Sequence, residues 1–173
     1  MDAPALTSGD VSLELAQESD WPMLRSVVYG FTYDGEPADP SAETSMWWRH
    51  LWGMVAIVRH RERFLGYLRN GYSSPGDLLT RLQAGVVSLS DDGTLATGVG
   101  LYLRALLWHM PINRVCMEVP ATPEGETFAA ILCQGGFERE GRYPQHRWVD
   151  GSLQDVAILG FLRGDLAVRG IAG

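Results

Sequence analysis

Apolar and polar residues alternate along Val11-Ser12-Leu13-Glu14-Leu15, the period of a half-buried strand. Ser19-Asp20 then offers a helix N-cap, Pro22 fits a first turn, and Met23, Leu24, Val27 and Val28 form a helical stripe. Asp34-Gly35-Glu36-Pro37 is turn chemistry. A second helix is predicted over 39–52, where Trp47/Leu51 and Trp48/Trp52 lie four apart on shared faces. Residues 54–58 and 64–72 read as strands joined by the charged turn 59–63, and 78–89 as a third. A helix over 98–110 carries Leu101, Leu103, Leu106 and Leu107. A buried strand over 114–119 and a helix over 126–134 follow, the latter closed by Gly135-Gly136. Strands over 137–149 and 153–162 flank the hairpin turn Asp150-Gly151.

Helices interleaved with strands in this order predict one α/β (α+β) domain over 11–166, with tails at 1–10 and 167–173. Composition narrows the functional classes. The formal charge is -7 and no Lys/Arg run occurs, which argues against nucleic acid and anionic membrane as partners. No apolar stretch reaches membrane-spanning length and the first residues lack a signal-type apolar core, so a cytoplasmic protein is expected. Cys116 and Cys133 sit in apolar runs without CxxC spacing and read as small buried thiols. His50, His60 and His109 show no ligand spacing, and no metal site is predicted.

The stretch from Gly136 to Arg163 carries more information. It reads Gly136-Phe137-Glu138-Arg139-Glu140-Gly141, then Val149-Asp150-Gly151, then Asp155 followed by Phe161-Leu162-Arg163. In register, these residues resemble the GNAT superfamily of acyl-CoA N-acyltransferases, most closely its ribosomal-protein-alanine acetyltransferase branch. The resemblance implies a mixed, mostly antiparallel central sheet flanked by helices, with acetyl-CoA or another acyl-CoA as co-substrate. It further implies a small-molecule or peptide amine as acceptor, and sheet edges that can pair in a homodimer. The matching residues close a helix, turn a hairpin and fill a core, so they speak to fold more than to chemistry.

The resemblance implies a pyrophosphate-binding loop, normally Q/R-x-x-G-x-G/A, at Leu95-Ala96-Thr97-Gly98-Val99-Gly100. Glycines opening a helix would let backbone N–H groups approach phosphate. Leu95 stands where Gln or Arg is usual. Leu89, at the end of the preceding strand, would lie beside the pantetheine arm. The usual chemistry is absent at the matching positions. Gln83 replaces the glutamate base and Leu132 the tyrosine acid, while an ungapped count places Gly125 at an asparagine.

The remaining candidates for proton transfer are Glu118 on a buried strand, Asp34 (with Glu36) in the interhelix turn, and His146 in the penultimate strand. A satisfied core carboxylate, an exposed turn and a surface imidazole are the competing structural readings. Tyr29, Phe31, Tyr33, Trp47, Trp48 and Trp52 suit either core packing or a wide apolar acceptor pocket. Three functions remain open: an N-acyltransferase with non-standard residues, a catalytically silent CoA-binding or regulatory domain, and a structural dimer module.

Overall fold

The computed structural model describes residues 5–24, 26–31, 55–71, 78–90, 93–149 and 151–168. The helix expected over 39–52 and the turn at Asp34 lie outside them. The strands are β1 (Leu6–Ser8), β2 (Val11–Leu15), β3 (Tyr29–Phe31), β4 (Val55–His60), β5 (Arg63–Asn70), β6 (Leu79–Val86), β7 (Arg114–Pro120), β8 (Glu138–Val149) and β9 (Ser152–Leu162). The α-helices are α1 (Trp21–Leu24), α2 (Thr94–His109), α3 (Pro123–Gln134) and α4 (Asp165–Val168). All the strands join one sheet in the order β1-β2-β4-β5-β6-β7-β9-β8, with β3 also on β6. Among the described residues only β6 and β7 run parallel; the other pairs are antiparallel. This is the mixed, mostly antiparallel sheet with helices that the sequence predicts.

Three expectations need correction. Residues 6–8 are not a loose tail, because β1 pairs with β2 from Leu6↔Leu13 to Ser8↔Val11. The first helical stripe yields only the four residues of α1, since Tyr29–Phe31 turns into a strand. Helix α2 begins at Thr94, four residues before the glycine predicted to open it.

Strand alternation decides which side chain faces which layer. On β4, Ala56 and Val58 enter the large core beneath α2, whereas Val55 and Ile57 join Ala16, Leu24 and Tyr67 in a smaller cluster by α1. The large core is closed by Phe128, Leu132, Phe137 and Phe161, all at most 2% exposed. One polar atom disturbs it. The Tyr102 hydroxyl on α2 is buried without a hydrogen-bond partner among the described residues. Burial pushes its pKa up, and an Asn70 backbone contact outside good hydrogen-bond geometry and the Arg69 charge only partly oppose this. A buried hydroxyl with so poor a partner adds little to stability. Tyr102→Phe is therefore expected to leave stability unchanged or raise it by up to about 1 kcal/mol, measurable by urea denaturation.

Candidate functional site

The site is set by where β6 and β7 part. They pair only at Leu79↔Arg114, Thr80↔Val115 and Arg81↔Cys116. Beyond Arg81 they diverge and leave one edge of β6 open to another strand. The opposite edge of β6 is satisfied by β5, from Asn70↔Leu82 to Gly66↔Val86. In open sheets, ligands bind in crevices at the carboxyl ends of parallel strands. Here β3 enters that crevice and pairs with β6 at Tyr29↔Val86, Gly30↔Gly85 and Phe31↔Ala84. Phe31 is buried and stacks on Phe128 of α3, centroids 4.1 Å apart and planes inclined by 8°. Thus β3 spans from β6 to the α3 wall on the β7 side.

At the carboxyl end of β6 the chain passes through Val87–Ser90 to the N-terminus of α2. A cavity of about 390 Å³ lies there. It is lined by His60, Arg63, Ser88, Ser90, Thr94 and Leu95, among others. The Ser88 and Ser90 hydroxyls are 2.7 Å apart. A helix N-terminus, a guanidinium and three hydroxyls at one cavity favour an anion. Asp10 tempers this field, since it pairs with Arg61 at 2.9 Å and lies 3.9 Å from His60 Nε2.

Only part of the predicted phosphate loop reaches this place. Leu95 lines the cavity, and Leu89 packs half-buried at the margin of the core. Ala96 and Val99 are buried in that core. The Thr97 hydroxyl donates to the Gly93 carbonyl at 2.9 Å, so it serves the first turn of its own helix. Gly98 and Gly100 do not open the helix. They lie inside it, where backbone N–H groups bond the preceding turn. A Cβ on Gly98 would stand 2.3 Å from Val58 Cγ1. Gly98 is therefore a contact point between helix and sheet. Gly98→Ala should cost about 1–2 kcal/mol despite its better helix propensity, and Val58→Ala should recover part of that loss in a denaturation double-mutant cycle.

Gln83 and Arg69 face each other on the side of the sheet that carries Tyr67. Arg69 Nε donates to Gln83 Oε1. The amide at the position of the usual base is thus buried, hydrogen-bonded and unable to take a proton near neutral pH. Glu118, half-buried on β7, lies 3.8 Å from Arg147 Nη2. His146 is exposed on the edge strand β8, its ring 4.9 Å from that of Tyr143. The two candidates therefore have separate settings, one an ion pair and the other a surface ring. Cys116 is buried beside Arg81, Arg114, Glu118 and Glu140, and burial, opposed by the arginines, pushes its thiol pKa up. It is the buried thiol that the sequence predicts.

Two features escaped the sequence reading. His60 and Arg63 were hidden in what reads as a charged hairpin turn. The strand β3 was hidden in an aromatic cluster, although Tyr29, Phe31 and Tyr33 already repeat with period two.

The chain has the GNAT fold. It superposes on a chimera of the spermidine N-acetyltransferase SpeG from Vibrio cholerae and hSSAT, with TM-score 0.73 and 12% identity over 91% of this chain and 98% of that one. It superposes on RimL, a ribosomal L7/L12 alpha-N-protein acetyltransferase in complex with coenzyme A, with TM-score 0.70 and 13% identity over 92% and 98%. The ribosomal-protein-S5-alanine acetyltransferase from Vibrio fischeri gives 0.69 and 12% over 94% and 98%. No family model and no curated protein matches the sequence.

Proposed function

We propose that this chain is an acyl-CoA-dependent N-acyltransferase acting on an amine of a small metabolite or peptide, with acetyl-CoA as the donor. One observation carries the reading: the parallel pair β6–β7 parts beside a helix N-terminus that borders an anion-favouring cavity. Such a place can hold a phosphate-bearing end while an extended arm runs between the strands. Solved acetyltransferases that superpose over nine-tenths of the chain support the same reading.

In this reading the phosphates lie against Arg63, Ser88, Ser90 and Thr94, beside Leu89 and Leu95. The chemistry is acyl transfer. The neutral amine nitrogen attacks the thioester carbon, the C–N bond forms, the C–S bond breaks, and CoA leaves as a thiolate. The proton lost by nitrogen goes to solvent and restores the thiol in solution. Gln83 and Leu132 move no proton, so an acceptor that is neutral near pH 7 suits the site best. Glu118, Asp34 and His146 are each proposed as a separate relay by which the proton lost by nitrogen reaches solvent.

Calorimetric titration with acetyl-CoA, followed by CoA-release assays against an amine panel, tests the proposal. Binding with release from at least one weakly basic amine is expected. Binding without release from any amine would leave a CoA-binding domain without transferase activity, and absence of binding would remove the proposal.

A further inference from the structure

Taking the crevice between β6 and β7 as the acyl-CoA site, we propose that Tyr29–Phe31 is its built-in competitor: acyl-CoA binds only when β3 leaves the β6 edge. The topology requires this choice. β6 has two edges, and β5 occupies one of them along Leu82–Val86. On the other edge β7 stops pairing at Arg81, and β3 takes Ala84–Val86. The Val28 N–H adds a 3.1 Å hydrogen bond to the Val86 carbonyl. A ligand arm carrying amides would bind here by adding to the sheet as a strand does, using the same backbone groups. Two strands cannot share the same stretch of one edge, and the arm that runs from the cavity at Ser88 and Ser90 into the crevice meets β3 at Val86.

β3 is also built to come away. It has three residues, against eight in β5. Its central pair is Gly30 opposite Gly85, so no side chains meet there. Gly85 has no room for one, since a Cβ would come 2.2 Å from Tyr67 Cε1. Val28, just before the strand, is 65% exposed. What anchors β3 is chiefly Phe31, which fills the core beside Phe128, with Tyr29 half-buried against the same core. Short, sparsely packed segments open at lower free energy than the core around them. Occupancy by β3 lowers apparent acyl-CoA affinity by the fraction of molecules that remain closed. Loss of the Phe31 anchor then increases affinity, which is opposite to the effect of deleting a ligand contact.

Two variants and one measurement test this. Phe31→Ala is expected to bind acetyl-CoA about tenfold more tightly than the parent chain. Tyr29→Cys/Val86→Cys places thiols on directly opposed residues, a spacing of about 4.5–5.5 Å between Cα atoms that a disulfide spans. Oxidised, this lock should bind acetyl-CoA at least about tenfold more weakly than after reduction. Because the same molecule is compared before and after reduction, the comparison survives if Phe31→Ala fails to fold. In the parent chain, acetyl-CoA should accelerate amide hydrogen exchange across residues 28–31. Equal affinity of the oxidised and reduced lock, or unchanged exchange at 28–31 on binding, overturns the competition while leaving the acyl-CoA reading intact. No binding by any form, including reduced lock and Phe31→Ala, overturns the acyl-CoA reading itself.

Discussion

Gly125→Ala should destabilise the protein by about 2–3 kcal/mol and lower its melting temperature by about 5–10 °C. Gly125 lies in the first turn of α3, and its N–H donates to the Thr122 hydroxyl at 3.1 Å. A Cβ there would stand 1.8 Å from the Pro120 carbonyl oxygen and 3.2 Å from Val119 Cγ1. The first neighbour is backbone at the end of β7, and it cannot rotate away as a side chain does. Helix propensity favours alanine by about 1 kcal/mol, so propensity alone predicts the opposite sign. Thermal unfolding decides between them; a stabilised Gly125→Ala would mean that α3 is not seated on the Pro120 carbonyl.

Arg63→Glu should weaken acetyl-CoA binding by about 10- to 100-fold, the scale of a charge-assisted hydrogen bond to phosphate. Arg63 is exposed at the cavity that includes Thr94 and Ser90, so the substitution changes its charge without disturbing the core. Melting temperature should remain within about 2 °C of the parent value. Binding to the parent chain should also weaken as salt rises. If Arg63→Glu folds normally and binds acetyl-CoA with parental affinity, the phosphates do not lie in this cavity.

The sequence discloses strands and helices well where hydrophobic period and punctuation agree. From Val55 onward each predicted element exists, and the β8–β9 hairpin, the α3 stop at Gly135 and the buried β7 all fall where expected. The exceptions have a common cause, which is packing between elements distant in sequence. Gly98 looks like a loop glycine because Gly-x-Gly often opens a helix, yet what demands glycine is Val58, forty residues earlier. Leu95 is buried yet lines the cavity, and the Thr97 hydroxyl bonds the Gly93 carbonyl within the first helical turn. Tyr29 and Phe31 read as helix-region aromatics for a core or a pocket, while the partner that makes them a strand is β6. Arg63 draws its meaning from Thr94, which meets it only after β5 and α2 are both in place. The candidate site was therefore legible as a region, through the helix after β6, but not as a set of contacts.

The far end of the sheet has a consequence for solubility. Strand β8 closes that end with twelve residues, nine of them consecutively exposed. A strand of that length with a bare edge is a template for runaway strand addition between molecules. Its pairing with β9 shifts register twice, between Arg139 and Gly141 and again between Tyr143 and Arg147. Pro144 removes a backbone donor in the second break, and Gln145 takes a φ of 45°. Arg139 and Arg142 add charge along the same strand. An incoming strand could therefore zip along only a few residues before losing register. The bends that shape this hairpin also act as gatekeepers against aggregation, independently of anything bound between β6 and β7.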